Sequence, residues 1–406
     1  MASSPSMLPA FHAALDGDST AEIDQRDMCR ASFLFLAMGF GYLFPYWALA
    51  QPVDYWHLLF PSFNVEFSIS CAYNIASTAA LVGILCHGGK QRYTGRIVGG
   101  FVAQVVVLVV LPASYFVLPA PALLFQSAHL TMVLASTVVV AIAGSFLDSS
   151  VFALAALFPH GGAIANVQLG IGLSLLVTAL YRDATKAFFA DDMVVASTML
   201  YFGAGAITVG GGIAAYFVLL RLPLTRACLK ADAAQDTVHF SLLQKVLVNQ
   251  LLVAASCLCT LLLWPGVVSA IPSYQFPHLN ANGWWPLLLM TVYAASDVAG
   301  RVGVQHVRLG VTAATIWKLV LPRFLLVPLL VGAATGAIAH DAISIAGVVV
   351  LGVTHGYVGT LSVVVVNHIV DATEQSATGM LSVFFLNAGL VAGATLSLGL
   401  ANVVGL

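Results

Sequence analysis

The sequence predicts an all-α polytopic membrane protein with about eleven transmembrane helices, arranged as six and then five. Three observations predict it. Hydrophobic residues make up 60% of the 406 and charged residues only 8%, against roughly 25% charged in soluble domains. Mean hydropathy is +0.96. Eleven apolar runs long enough to span a bilayer are separated by short polar links, and a span needs about 20 such residues. So few charges cannot cover a water-facing surface of this size, so the excess apolar surface must meet lipid.

The spans fall near residues 32–51, 63–87, 95–118, 127–157, 161–181, 194–221, 241–263, 285–307, 314–334, 342–367 and 376–404. Before the first, residues 1–31 read as a polar cytoplasmic tail; Asp16, Asp18, Glu22, Asp24, Arg26, Asp27 and Arg30 leave no apolar core for a signal peptide. The stretch from Leu123 to Tyr181 is nearly unbroken and divides at Phe158-Pro159-His160-Gly161-Gly162. Proline disfavours helix at the residue before it, and the glycine pair loosens the turn after it. The longest polar link, residues 222–240, separates a six-helix bundle (32–221) from a five-helix bundle (241–406).

Lys and Arg in the links set the orientation. With the N-terminus cytoplasmic, eleven of them, including Arg26, Arg92, Arg226 and Lys245, share that side, while Arg182 and Lys186 lie on the other. An odd span count puts the C-terminus outside, and the plasma membrane is the expected location.

Several function classes drop out. A net charge of −2 offers no surface for nucleic acid. The six cysteines form no CxxC pair or metal spacing, and no Gly-rich phosphate loop of an ATP-driven pump is present. Neither HExxH nor a nucleophile–base arrangement suggests an intramembrane enzyme. No cofactor is expected, and the chain is expected to act as a monomer in the bilayer on a small molecule.

Charges within spans are costly and mark cavities or partners. Asp297 and Arg301 stand at i and i+4, on one helix face. They suit either a buried ion pair or a polar site where a carboxylate accepts from hydroxyls and a guanidinium donates to oxygens. Asp148 lies deep in the fourth span with no base within a turn; it is protonated, paired with Arg301 across the bundles, or bound to substrate. Arg323 follows Pro322 and points to gating or helix packing. In the first span, Tyr42, Phe44, Tyr46 and Trp47 surround Pro45, which is expected to interrupt that helix and expose an aromatic face able to stack on a planar base. Gly389 and Gly393 form GxxxG, read as close packing within the chain rather than a dimer contact.

Five segments, in order, resemble the equilibrative nucleoside transporter family. Gly39-Phe40-Gly41-Tyr42-Leu43-Phe44-Pro45-Tyr46-Trp47 is similar to its Gly-rich first helix ending in Leu-x-Pro-Trp-Asn. Ser150 to Pro159 resembles its Ser-Leu-Phe-Gly-Leu-Ala-x-x-x-Pro. Asp297-Val298-Ala299-Gly300-Arg301 matches Asp-x-x-Gly-Arg. Thr354-His355-Gly356-Tyr357 resembles Asn-Gly-Tyr. Gly379 to Leu390 resembles Ala-Gly-x-x-x-x-Phe-Phe-Leu-x-x-Gly-Leu. The resemblance implies a fold similar to the major facilitator arrangement and facilitative uniport of purine nucleosides, or of nucleobases, by alternating access. It implies that Asp297 and Arg301 contact ribose, that Asp148 replaces a base-contacting Gln, and that Leu43, Tyr46 and Trp47 line the substrate site. Tyr46-Trp47 stands for Trp-Asn and His355 for Asn. An ionised Asp148 only accepts hydrogen bonds and would favour N–H-rich purine edges. A buried acid together with His355 also permits proton coupling of nucleoside or nucleobase uptake.

Overall fold

Apolar runs joined by links of a few residues must cross the bilayer and recross it antiparallel, because every backbone polar group in lipid has to be satisfied within its own helix. The computed structural model of the chain obeys that rule. It describes residues 20–50, 56, 60, 65–87, 92–117, 123–188, 193–232, 240–307 and 310–404. Among the described residues, eleven helical segments are long and apolar enough to span: α1 Gln25–Leu49, α2 Ser68–Cys86, α3 Tyr93–Ser114, α4 Ala128–Ala156, α5 Gly162–Phe188, α6 Val195–Arg221, α7 Phe240–Ala270, α8 Trp284–His306, α9 Trp317–Ala334, α10 Asp341–Ile369 and α11 Ala372–Val404. Each coincides with a predicted span. The break between α4 and α5 falls where proline and the glycine pair require it: helix ends at Ala156, one 3-10 turn covers Pro159–Gly161, and helix resumes at Gly162.

Three local expectations need correction. The first helix begins at Thr20, so the residues taken as the end of the polar tail extend α1 beyond the apolar run. The link between the bundles carries its own helix, Pro223–Asp232, with Leu224, Thr225 and Cys228 buried and Arg226 and Lys230 exposed; residues 233–239 lie outside the described set. Pro45 does not interrupt the first span. The helix is continuous from Thr20 to Ala50, and one turn before the proline the buried Gln104 of α3 donates to the Tyr42 carbonyl at 3.0 Å.

Small residues let the helices touch backbone to backbone, as lipid supplies no hydrophobic drive between them. Gly39 and Gly170 seat α1 on α5, against the carbonyls of Val167 and Leu36. Gly389 and Gly393 seat α11 on α7, against the carbonyls of Ala254 and Leu258, so this GxxxG is an intrachain seam. Gly300, Gly352 and Gly356 do the same between α8 and α10.

One core gathers α1–α6 with Leu242, Val246 and Val253 of α7, the end of α10 and the start of α11; a second gathers the end of α7 and α8–α10 with Leu175 and Ala179 of α5. The first six helices and the last five therefore meet at both ends. On the Lys/Arg-rich face, Tyr93 of α3 and Ser376 of α11 share a hydrogen bond of 2.8 Å, and Gly379 lies against the backbone of Phe152 and Ala153. On the opposite face, Thr291 of α8 donates to Asp183 of α5 at 2.6 Å, and Lys186 stands over the Trp284 ring.

Candidate functional site

The predicted pair on α8 is formed and buried. Arg301 Nε donates to Asp297 Oδ2 at 2.8 Å, and the two residues are 6% and 0% exposed. A charge in a low-dielectric interior is costly unless paired and hydrogen-bonded, and here the pairing is incomplete in an informative way. Asp297 Oδ1 is buried and has no hydrogen-bond partner. A buried carboxylate oxygen left without a partner by the chain can still accept a hydrogen bond.

Arg301 also reaches the other bundle. Its Nη1 donates to the Gln168 backbone carbonyl of α5 at 2.8 Å and to the Gln168 side-chain oxygen. The guanidinium fits because residue 172 is glycine: a methyl there would stand 2.7 Å from Arg301 Cδ and 3.0 Å from Asp297 Oδ2. Gly172→Ala is therefore expected to fold, since flexible side chains can yield, yet to lose about tenfold in transport, the weight of one displaced charge-assisted hydrogen bond. Uptake beside a thermal melt of the purified variant checks this.

Asp148 is not Arg301's partner. Its Oδ2 accepts from Asn387 of α11 at 3.3 Å. It sits on the α4–α11 seam with this neutral partner.

A ladder of rings crosses the molecule beside the pair. Tyr73 of α2 meets Tyr46 of α1 at 4.4 Å between centroids, Tyr46 meets Trp47 at 5.0 Å, and Trp47 meets Trp264 of α7 edge-on at 5.9 Å. Trp264 stacks on Tyr293 of α8 at 4.9 Å and 18°, and Tyr293 lies 6.4 Å from His355 of α10 at 24°. Trp47 and Trp264 both hold a buried indole N–H without a partner. Buried Trp N–H groups usually find an acceptor, and these two donors, like Asp297 Oδ1, have none within the chain. Leu43, partly buried, packs one turn from Trp47.

His355 and Arg323 belong to one network in the second bundle. Arg323, 3% exposed, donates to the Ser256 carbonyl and hydroxyl at 2.7 and 2.6 Å, to Thr260 Oγ1 at 2.6 Å and to Thr354 Oγ1 at 3.2 Å. Thr260 Oγ1 lies 2.9 Å from His355 Nδ1. Arg323 thus ties α9 to α7 and α10 and fixes the ring of His355 through Thr260. Its guanidinium is turned to these partners. The helix around His355 opens into a π turn, His355–Gly359, a feature common at functional positions.

The sequence reading singled out Asp297, Arg301, Asp148, Tyr46, Trp47, Leu43, His355 and Arg323. It missed Gln168, Trp264, Tyr293, Tyr73 and Asn387. Each is a single polar or aromatic residue in an apolar run, and Trp264-Pro265 alone carried a signal, as the counterpart in α7 of the Pro-aromatic turn in α1. Among the described residues, no cluster of His, Cys, Asp and Glu could hold a metal ion.

Residues 221–401 match the family model described as Nucleoside transporter. The chain is 24% identical over 390 residues to equilibrative nucleotide transporter 8 of Arabidopsis thaliana, covering 92% of this chain and 96% of that one. It is 22% identical to equilibrative nucleotide transporter 1 of the same plant over 90% and 85% of the two chains.

The C-terminal part of the chain thus resembles nucleoside transporters, and nearly its whole length is similar to plant equilibrative nucleotide transporters. These relatives are named as transporters. A partial match of 26% over 143 residues to nucleoside transporter 2 of Crithidia fasciculata covers 34% of this chain and 28% of that one. The fold is that of the major facilitator superfamily. The proton:xylose symporter XylE bound to 6-bromo-6-deoxy-D-glucose superposes with a TM-score of 0.66 at 10% identity, over 93% of this chain and 89% of that one. A bacterial homologue of the iron transporter ferroportin in an outward-facing state gives 0.63 at 13% identity, over 93% and 98%.

Proposed function

We propose that this transporter carries purine nucleosides by alternating access, as a facilitative uniporter working as a monomer. The Lys/Arg-rich face lies in the cytoplasm and the C-terminus outside, at the plasma membrane. The observation that carries the reading is the unsatisfied Asp297 Oδ1 beside the aromatic ladder. A ribose offers vicinal hydroxyls, which donate to that oxygen and accept from the Arg301 guanidinium. A planar base offers a face to stack on Tyr46 and Trp47 and ring acceptors for the orphan indole N–H groups, while Leu43 supplies apolar contact. Sugars alone would leave the rings without a stacking partner, and free bases would bring no vicinal hydroxyls to the pair. The relatives' names make nucleosides and nucleotides the first cargoes to test.

Asp148 then reads the base. An ionised carboxylate accepts from N–H, so inosine and guanosine, with N1–H, are preferred over adenosine. Asp148→Asn is expected to narrow that preference by about tenfold, the weight of one hydrogen bond to a charged group; competition among unlabelled purine nucleosides for labelled inosine uptake measures it.

One observation favours a second reading, proton-coupled uptake of nucleosides or nucleobases. The partner of Asp148 on the seam, Asn387, is neutral, and a seam carboxylate changes surroundings as bundles rock. Uptake of labelled inosine and hypoxanthine into liposomes holding the purified protein, with and without an inward proton gradient, decides between the two. Inosine that equilibrates and ignores the gradient supports uniport. Accumulation above equilibrium, abolished in Asp148→Asn, establishes symport instead.

A further inference from the structure

We propose that Gln168 is a positioning residue that latches the two bundles through Arg301, so that the guanidinium assigned to substrate also holds the cytoplasmic pathway shut. The inference rests on the alternating-access reading. It starts from topology: Asp297 and Arg301 share α8 in the second bundle, whereas Gln168 is on α5 in the first. Nη1 of Arg301 meets both oxygens of Gln168, while Nε is held by Asp297. The guanidinium is therefore clamped between a carboxylate on its own helix and a neutral, exchangeable acceptor on the opposing one. Gln168 is 4% exposed, so the contact is dry and the hydrogen bond correspondingly strong.

The latch has a purpose in the cavity beside it. One turn further toward the Lys/Arg-rich face, the same two helices line a pocket of about 450 Å³. Ala165 and Asn166 of α5 form one wall, Val304 and Gln305 of α8 another, and Tyr357 of α10 a third. Across it the Asn166 and Gln305 side chains touch at 3.4 Å. Gln168 and Arg301 thus form the partition between the central pair and a cavity that already reaches the cytoplasmic end of the bundle interface. For a solute to pass from one to the other, α5 and α8 must part at this point, and that requires Arg301 to release Gln168. A substrate oxygen that takes the same guanidinium donors does so by replacing Gln168. Substrate binding and latch release are then one exchange of acceptors, and the helices separate without stranding a buried charge.

The test uses Val304→Cys as a reporter in full-length protein whose six native cysteines are changed to serine. Val304 is 7% exposed, lines the pocket and lies outside the substrate and latch groups. A membrane-impermeant maleimide is applied to the cytoplasmic face without substrate, so the readout is independent of cargo identity; the uptake assay tests cargo separately. Gln168→Ala removes the side-chain acceptor and is expected to raise the labelling rate by about tenfold, the weight of one hydrogen bond to a charged group. Gln168→Glu keeps an acceptor on the guanidinium and is expected to label no faster than the parent. An unchanged rate in Gln168→Ala overturns the latch. An equal rise in both variants also overturns it, because it marks Gln168 as packing rather than as a hydrogen-bonded tie.

Discussion

Asp297→Ala protein is expected to assemble in the membrane and yet carry nucleosides at least about 100-fold more slowly than the parent. Breaking a buried ion pair from one side costs roughly 3–5 kcal/mol, because the remaining charge is left uncompensated. Here that charge is Arg301, buried and anchored on its far side by Gln168. The fold survives, since the α5–α8 contact through Gln168 does not pass through the carboxylate. The site does not survive. Its unpartnered acceptor is gone, and the guanidinium loses the bond that holds Nε in place. Asp297→Asn separates the two losses: it keeps an acceptor oxygen but not the charge, and its uptake is expected to fall between parent and alanine variant. Initial rates of labelled inosine uptake, set beside size-exclusion profiles of both variants, make the measurement. A well-folded Asp297→Ala protein with parental uptake would remove the pair from the substrate site and leave it a helix tie.

The contrast between what the sequence showed and what it hid has a physical basis. Spans were legible because lipid demands long apolar runs and the links must carry the charge, and both are properties of consecutive residues. The Asp297–Arg301 pair was legible because i,i+4 spacing is local to one helix. The aromatic ladder was not: Tyr73, Trp264 and Tyr293 are each alone in a different helix, and only packing brings them into line. Gln168 was hidden for the same reason, its partner lying 133 positions away. The expected break at Pro45 failed because a proline inside a packed helix need not end it when neighbours answer nearby backbone groups, as Gln104 does at Tyr42. Local chemistry can thus be read from sequence, whereas chemistry made by two bundles meeting has to be seen.

Gly356→Ala is expected to be the most damaging single-methyl change among the described glycines, lowering stability by about 3 kcal/mol, the upper end for overpacking, and abolishing uptake. A methyl on Gly356 falls inside contact distance of the Asp297 carbonyl oxygen and 2.9 Å from the Arg301 amide nitrogen. Both are backbone atoms of α8, so no rotamer relieves the clash, in contrast to Gly172, where side chains can move. Reciprocally, Gly300 lies against the Val353 carbonyl and Gly352 against Tyr293 and Ser296. The seam is therefore zipped from both sides, and the π turn at His355–Gly359 is pressed onto the turn of α8 that presents Asp297. Forcing α8 and α10 apart shifts Asp297, Arg301 and the Tyr293–His355 stack together. Melting temperature in detergent and inosine uptake are the two readouts. The packing argument fails if Gly356→Ala melts with the parent. If it melts early but transports at the parental rate once folded, then α8 and α10 hold the bundle together without setting the geometry of the site. The Gly303→Ala variant is the internal control: a methyl there meets only the edge of the Tyr357 ring at 3.5 Å, an ordinary contact, and both readouts should stay near parental values.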